Sequence, residues 1–207
     1  MGYYPIFLEM KGRRCVVIGG GAVAERKVEG LLQAGASVTV ISPAISERLN
    51  AWAKTGEIRR EARSYQPGDL AGFQLAFVAT DESSVNVAVK REAEERGVWV
   101  NVADDPVHCD FILPSVLRRG ELTVAVATGG SSPALSKAIR EELELYFTED
   151  YVALAKIVAE VRRELRERGL SAAPETWGKA LNDNLRSLVQ QGDIQKAKRY
   201  LREQIGV

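Results

Sequence analysis

The polar side chains best suited to chemistry stand together in one segment, Asn101 to Asp110, directly after an apolar run that is typical of a buried strand. Asp104 is a candidate catalytic proton acceptor, because a side chain at the carboxyl end of such a strand faces the ligand crevice of a doubly wound sheet. His108 is the only histidine of the chain and a second candidate acid or base near neutral pH. The alternative is an Asp-Asp-Pro turn, in which Asp104 and Asp105 only cap backbone amides.

A second candidate site is a glycine-containing turn made of Thr128, Gly129, Gly130, Ser131 and Ser132. Ser132 is a candidate N-cap, and Pro133 suits the first position of the helix that the following periodicity predicts. Backbone N–H groups at a helix start bind carboxylates or phosphates, so we expect this turn to bind an anionic substrate. An ordinary capped helix start is the alternative. Basic residues that would add positive charge are Arg118, Arg119, Lys137 and Arg140.

A second glycine pattern stands near the start of the chain, where the apolar run Cys15 to Ile18 is followed by Gly-x-Gly-x-x-Ala. In dinucleotide-binding folds the first glycine permits a tight turn and the second lets a pyrophosphate approach the backbone. The third small residue lets the helix pack closely on the strand. We therefore expect cofactor phosphates to contact Gly19, Gly21, Ala22 and Val23.

Three further residues are expected to contact a dinucleotide. Ser42 and Pro43 follow the second strand, at the position that often carries an acidic residue for the adenosine ribose. Serine can bind a ribose hydroxyl, and no arginine stands beside it in the sequence to bind a 2′-phosphate, which favours NAD over NADP. Thr80 follows a later apolar strand and should lie near the crevice.

The elements that must position these residues alternate between strand and helix over roughly the first hundred residues. This alternation predicts an α/β fold with a Rossmann-type, doubly wound parallel sheet. A hairpin and a helix follow as a small α+β segment, and the remaining residues have helical periodicity throughout. We expect domains at residues 1–112, 113–147 and 148–207.

Three local predictions accompany this architecture. The segment Ile6 to Leu8 is expected to form a short edge strand ahead of the glycine turn. Ser83 is expected to cap the helix that ends at Gly97, and a single helix is expected from Pro174 to Gln191.

Composition narrows the classes of function. The 207 residues include 28 basic and 28 acidic side chains, so no global charge attracts nucleic acid or an anionic membrane. Two cysteines form no disulfide framework, which fits a reducing cytoplasm. His108 and Cys109 are adjacent and no second cluster completes a ligand set, so no metal site is predicted. We infer neither secretion nor a membrane span.

Four motifs occur in a specific order: GGGAVAERK from residue 19, ATDESSVN from residue 79, NVADDP from residue 101 and TGGSSP from residue 128. Together with the surrounding sequence, residues 1–147 in register and the helical tail more loosely, this order resembles the precorrin-2 dehydrogenase family of siroheme biosynthesis. The combination is far more specific than any one motif.

The resemblance implies NAD-dependent oxidation of precorrin-2, a reduced tetrapyrrole with eight carboxylates, to sirohydrochlorin. It implies a homodimer with much of its interface in residues 113–147, and it makes Asp104 the functional carboxylate. Substrate contacts are then expected at Asn101, His108, Thr128, Gly129, Gly130, Ser131 and Ser132. We expect Asp104 to be partly buried and to take the proton that leaves with the hydride.

Two other functions remain open. A bifunctional enzyme would also insert ferrous iron into sirohydrochlorin, as some members of the family do. A regulatory NAD-sensing module would share the first hundred residues but would give no reason for Asp104 or the TGGSSP turn.

Overall fold

The computed structural model describes residues 2–206; residues 1 and 207, the ends of the first and last predicted domains, lie outside this range. The chain divides into two compact units, Met1–Leu113 and Pro114–Val207. The predicted hairpin and its following helix share the second unit with the C-terminal helices.

The first unit is built on a five-stranded parallel sheet in the order β3-β2-β1-β4-β5. The strands are β1 (Arg14–Ile18), β2 (Ser37–Ile41), β3 (Ile58–Glu61), β4 (Leu75–Val78) and β5 (Trp99–Val102). From β1 the chain first adds β2 and β3 on one side and then returns to add β4 and β5 on the other side. At such a switch point the loops at the carboxyl ends of the strands form a crevice. This confirms the predicted doubly wound sheet.

Helices cover both faces of this sheet. They are α1 (Ala22–Gln33), α2 (Glu47–Thr55) and α3 (Ser83–Arg96). On one face the α1 side chains Val28 and Leu31 pack with Val17 and Val40 of the strands. On the other face Val89 of α3 joins a separate apolar cluster. Because the central strands are buried on both faces, their continuous apolar runs were a reliable signal.

Two local predictions in this unit were wrong. Residues 6–8 form no strand, and the side chains of Ile6 and Phe7 are exposed, because the segment has no strand beside it to supply a ladder partner. Ser83 is the first residue of α3 rather than its cap. The cap is Glu82, whose backbone N–H donates to Thr80 Oγ1.

The second unit begins with the predicted hairpin, β6 (Ser115–Arg119) paired antiparallel with β7 (Leu122–Val126). Five helices follow: α4 (Pro133–Tyr146), α5 (Asp150–Glu167), α6 (Pro174–Ala180), α7 (Asp183–Gln190) and α8 (Ile194–Ile205). Side chains of α5, α7 and α8 share an apolar core that includes Val161, Leu185 and Leu201.

The single helix predicted from Pro174 to Gln191 is instead two helices, and Asn182 explains the break. Its Oδ1 accepts from the Leu185 backbone N–H and caps α7, while its Nδ2 donates to Lys179 O and to Tyr200 Oη. An asparagine that satisfies backbone groups on both sides ends one helix and starts the next.

No helix within residues 2–206 is both long enough and apolar enough to cross a membrane.

Candidate functional site

The turn after β1 requires glycine because backbone of neighbouring segments fills the space beside it. A Cβ on Gly19 would lie 2.1 Å from Ala79 O, and Gly19 has a positive φ of 117°. A Cβ on Gly20 would lie 2.0 Å from Ala44 O. Both contacts involve backbone atoms that cannot swing away, so side chains are excluded at these two positions.

Gly21 has different surroundings, since it is exposed and a Cβ there would meet no described heavy atom within 4 Å. It is the N-cap of α1 and has no side chain with which to cap the helix. The N–H groups of the first helical turn, at Ala22 and Val23, therefore have no side-chain cap and are available to an anion. The contact of a dinucleotide pyrophosphate with this turn, which the spacing predicts, is compatible with this geometry and stays a prediction.

The loop after β2 is tied to this turn, since the Ser46 N–H donates to Gly20 O. Ser42 is buried and its hydroxyl donates to Ala44 O at 2.6 Å, so its proton is already engaged, while Pro43 is exposed. Arg60 of β3 stands beside this loop and donates from Nη2 to Pro43 O. An arginine is therefore present at the expected adenosine position, although none is adjacent in the sequence.

A polar cavity of about 320 Å³ lies on the opposite side of the glycine turn, at the carboxyl ends of β4 and β5. Its lining residues are Val23, Ala79, Thr80, Asp81, Ser83, Asn86, Ala103, Asp104 and Asp105. The structure thus brings Val23, Thr80 and Asp104, predicted from three separate motifs, to one cavity.

Asp104 has a backbone conformation that is rare for a residue with a side chain. Its φ is +58°, the one positive value among non-glycine residues in the described range. Such strain is retained where the surrounding structure imposes it, often at functional sites. Contrary to expectation, Asp104 is exposed within this unit, because the loop after β5 projects it from the sheet edge rather than into the core.

His108 lies in a short 3₁₀ turn, Pro106–His108, and is paired with Asp105. The distance from His108 Nδ1 to Asp105 Oδ2 is 2.6 Å, and both side chains are about one third exposed. A carboxylate on Nδ1 orients the ring and leaves Nε2 for proton exchange. Asp105 thus orients His108 in addition to its place in the turn, and both residues belong to the loop after β5.

Lys27 of α1 reaches across to the end of β5, where its Nζ donates to Asn101 Oδ1 at 3.3 Å. Burial and then Arg26 lower the pKa of Lys27, while Cys109 and Asp104 oppose that shift. Asn101 is buried, and its Nδ2 donates to Phe111 O. The Asn101 amide is thus engaged inside the domain, which differs from the substrate contact predicted for it.

Neither cysteine has the properties of a nucleophile. Burial raises the pKa of the Cys15 thiol to about 11. Burial also raises the pKa of Cys109, whose Sγ lies 3.2 Å from both the N–H and the carbonyl oxygen of Val102. Both thiols are free and act as packing or hydrogen-bonding groups.

The turn Thr128–Ser132 lies in the second unit, and its hydroxyls serve the turn itself. Thr128 Oγ1 donates to Ser132 O, and Ser131 Oγ donates to Thr128 O. Ser132 Oγ accepts from the Leu135 N–H and caps α4, as predicted. Gly129 and Gly130 are exposed with positive φ values of 63° and 84°. Accessible backbone, rather than free hydroxyls, is what this turn offers a ligand.

Three of the four basic residues expected beside this turn have acidic or backbone partners within the unit. Lys137 pairs with Glu141, and Arg140 pairs with Glu141 and Glu144. Arg119 Nε donates to Phe147 O. A second cavity, of about 380 Å³, lies elsewhere in this unit, where apolar side chains of α5 and the charged side chains of Asp183 and Arg186 are among its lining residues. Across residues 2–206 there is no group of three or more His, Cys, Asp or Glu that could hold a metal ion.

The fold and the glycine turn define a dinucleotide-binding protein of the Rossmann class. Residues 6–115 match a family described as “Putative NAD(P)-binding”, and residues 119–144 match one described as “Sirohaem biosynthesis protein central”. A solved structure, “SirC, precorrin-2 dehydrogenase”, is similar with a TM-score of 0.79 and 30% identity over 95% of this chain and 99% of that one. The chain belongs to this siroheme-biosynthesis family of precorrin-2 dehydrogenases.

Curated relatives are similar over nearly the whole chain. The siroheme synthase of Nitrosococcus oceani is 40% identical over 96% of this chain and 43% of its own length. That of Photorhabdus laumondii is 38% identical over 99% of this chain and 44% of its own length. The chain therefore spans less than half the length of these relatives.

Reasoning from the sequence missed three residues at this site: Lys27, Arg60 and Asn86. Lys27 lies in the GGGAVAERK motif and Asn86 lies in the ATDESSVN motif. Membership of these motifs could have identified both as candidate site residues. No sequence motif indicated Arg60, because it contacts Pro43 only through the pairing of β2 with β3.

Proposed function

We propose that this chain is an NAD-dependent precorrin-2 dehydrogenase that forms sirohydrochlorin. The observation that carries the proposal is the single cavity that joins the helix start of the glycine turn to Thr80 and Asp104. An NAD(P)-binding family match and the similarity to SirC support the same reaction.

The oxidation removes a hydride and a proton from the macrocycle. NAD, when bound, supplies the hydride acceptor. The N–H groups after Gly21 would bind its pyrophosphate, Ser42 and Pro43 would border its adenosine, and Thr80 lines the cavity. Asp104 accepts the proton, because it is an exposed carboxylate held at the end of β5 in a fixed backbone conformation.

Other side chains position this carboxylate. Lys27 and Asn101 link α1 to the end of β5, beneath the loop that carries Asp104. Asn101 is thus proposed to hold the loop rather than the substrate. Asp105 orients His108, which contacts the substrate or shuttles protons.

The second unit is proposed to contribute two properties. The exposed backbone of Gly129 and Gly130, with Thr128, Ser131 and Ser132, would bind substrate carboxylates. Exposed apolar side chains, including Leu135 and Leu145, support the homodimer that the resemblance implies. Two free thiols are compatible with a cytoplasmic protein.

Anaerobic mixing of the protein with precorrin-2 and NAD, followed by absorbance of NADH and sirohydrochlorin, tests the proposal. We expect prompt NADH formation, and a loss of about 10²–10⁴-fold in turnover for Asp104→Ala with NADH affinity unchanged. The control is Glu82→Gln, which alters an exposed carboxylate outside the cavity. Full activity of Asp104→Ala would refute its role, and NAD binding without turnover in the wild type would favour a sensor.

Iron insertion is a second candidate activity, favoured by the presence of two proton acceptors in one loop. Two pyrrole protons leave the ring when ferrous iron enters as a substrate, and Asp104 and the His108–Asp105 pair could each take one. Adding ferrous iron after the oxidation tests this. Siroheme formation at the protein-free rate would eliminate it.

A further inference from the structure

Asn86 lines the cavity beside the glycine turn and has a side-chain oxygen without a hydrogen-bond partner in the described part of the chain. It lies near the start of α3 and lines the cavity together with Thr80 and Asp104. Its Oδ1 is buried and has no hydrogen-bond partner among residues 2–206. A buried acceptor without a partner costs free energy, so a donor that reaches it from a bound molecule is favoured.

The fold indicates which part of a dinucleotide comes close to Asn86. The adenosine belongs at the end of β2, and the pyrophosphate belongs at the start of α1. Since β1 separates β2 from β4 in the sheet, the rest of the molecule extends toward β4 and β5. The cavity lined by Asn86 lies at the carboxyl ends of those two strands.

The nicotinamide half of NAD offers the hydrogen-bond donors that an amide oxygen needs, namely its carboxamide NH₂ and its ribose hydroxyls. Thr80 Oγ1 already accepts from the Glu82 N–H, whereas Oδ1 of Asn86 has no donor. Because Asn86 also lines the cavity, a rotation of its side chain would present this oxygen to a bound molecule.

We propose that Asn86 positions the nicotinamide half of the cofactor by accepting a hydrogen bond from its carboxamide or ribose. This inference rests on the proposed NAD-dependent function and adds a residue that the glycine pattern does not include. It also gives the Asn of the ATDESSVN motif a role beside Thr80.

The test compares affinities for NADH, ADP-ribose and ADP by calorimetry in the full chain, without the tetrapyrrole. Asn86→Leu removes the polar group at similar size, and Asn86→Ala serves if leucine is not accommodated. Asn86→Asp retains an acceptor. Ser84→Ala, an exposed residue of the same helix turn outside the cavity lining, is the matched control.

We expect Asn86→Leu to weaken NADH binding about three- to tenfold, the range of one net hydrogen bond, with ADP affinity unchanged. Asn86→Asp should lie closer to the wild type. If only NADH binds more weakly, the carboxamide is the group that donates to Asn86. If ADP-ribose also binds more weakly, the donor is a hydroxyl of the second ribose. Unchanged NADH affinity, or an equal loss for ADP, would overturn the inference. A wild type that binds none of the three ligands would instead refute the NAD-dependent function.

Discussion

Two glycine turns precede helices in this protein, and they differ in the space that surrounds their glycines. At Gly19 and Gly20 the neighbouring backbone leaves no room for a Cβ, at distances of 2.1 and 2.0 Å. At Gly129 and Gly130 a Cβ would meet no described atom within 4 Å, and glycine is needed because φ is positive. Neighbouring backbone thus adds to the positive φ of Gly19 in the first turn, whereas backbone conformation alone requires glycine in the second.

The helix starts differ in the same way. Gly21 leaves the start of α1 uncapped, whereas Ser132 caps α4 through the Leu135 N–H. An uncapped start retains N–H groups for a ligand, and a capped start has used part of that capacity. The comparison indicates that the first turn is the stronger anion site, although both sequences read as glycine followed by a helix.

The largest expected effect is that of Gly20→Ala. The added methyl would collide with Ala44 O, and the loop after β2 would have to move, which should cost about 3 kcal/mol. Hydrogen exchange by mass spectrometry, read separately for each unit, should show lost protection in β1 and α1. Unchanged protection there would show that the turn is not held by its neighbours. Protection in the second unit serves as the internal control.

A smaller loss is expected for Gly129→Val in the second turn. Valine is strained at a φ of 63° even with free space around it, at a cost of about 2 kcal/mol. Protection of α4 should fall while NADH affinity stays at the wild-type value. Gly129→Asn is the matched control, because asparagine tolerates this conformation. Equal losses for both variants would mean that strain is not the cause.

Gly21→Ala should separate binding from stability. The methyl would point into open space, so protection of α1 should fall by no more than about 1 kcal/mol, the cost of alanine at an N-cap. The same space is where a phosphate would approach, and NADH affinity should fall about tenfold, or 1.4 kcal/mol. Calorimetry with NADH measures this directly. An unchanged affinity for NADH would show that the pyrophosphate does not bind at this turn.

Much of the fold was predictable because local signals agreed with one another. The buried strands carry uninterrupted apolar runs, and Ser46, Gly56, Gly97 and Ser132 mark helix ends as their side chains or φ values require. The strand predicted for Ile6 to Leu8 was wrong because a strand needs a neighbouring strand to pair with, and the sequence of the segment does not reveal whether one is present. The helix break at Asn182 was not predicted because helical periodicity continues through the residues on both sides of it.

The candidate site was predictable where its residues follow a strand closely or belong to the glycine pattern. Thr80 and Asp104 met the first condition, since parallel strands bring their carboxyl ends to one edge. Lys27 meets Asn101 across 74 positions of sequence, and Arg60 meets Pro43 across 17. These contacts depend on side-chain reach between elements, which spacing along the chain does not encode. The engaged amide of Asn101 was hidden for the same reason.

The smallest expected effect is that of Ser132→Ala, which would turn the second helix start into one like the first. Loss of the hydroxyl that accepts from the Leu135 N–H should cost about 1 kcal/mol of protection in α4. Ser131→Ala is the control, because Ser131 Oγ donates to Thr128 O and does not cap the helix. If a free helix start is enough to bind anions, Ser132→Ala should also bind inorganic phosphate more tightly than the wild type. If phosphate affinity does not change, the difference between the turns lies in the space beside Gly21 rather than in the cap.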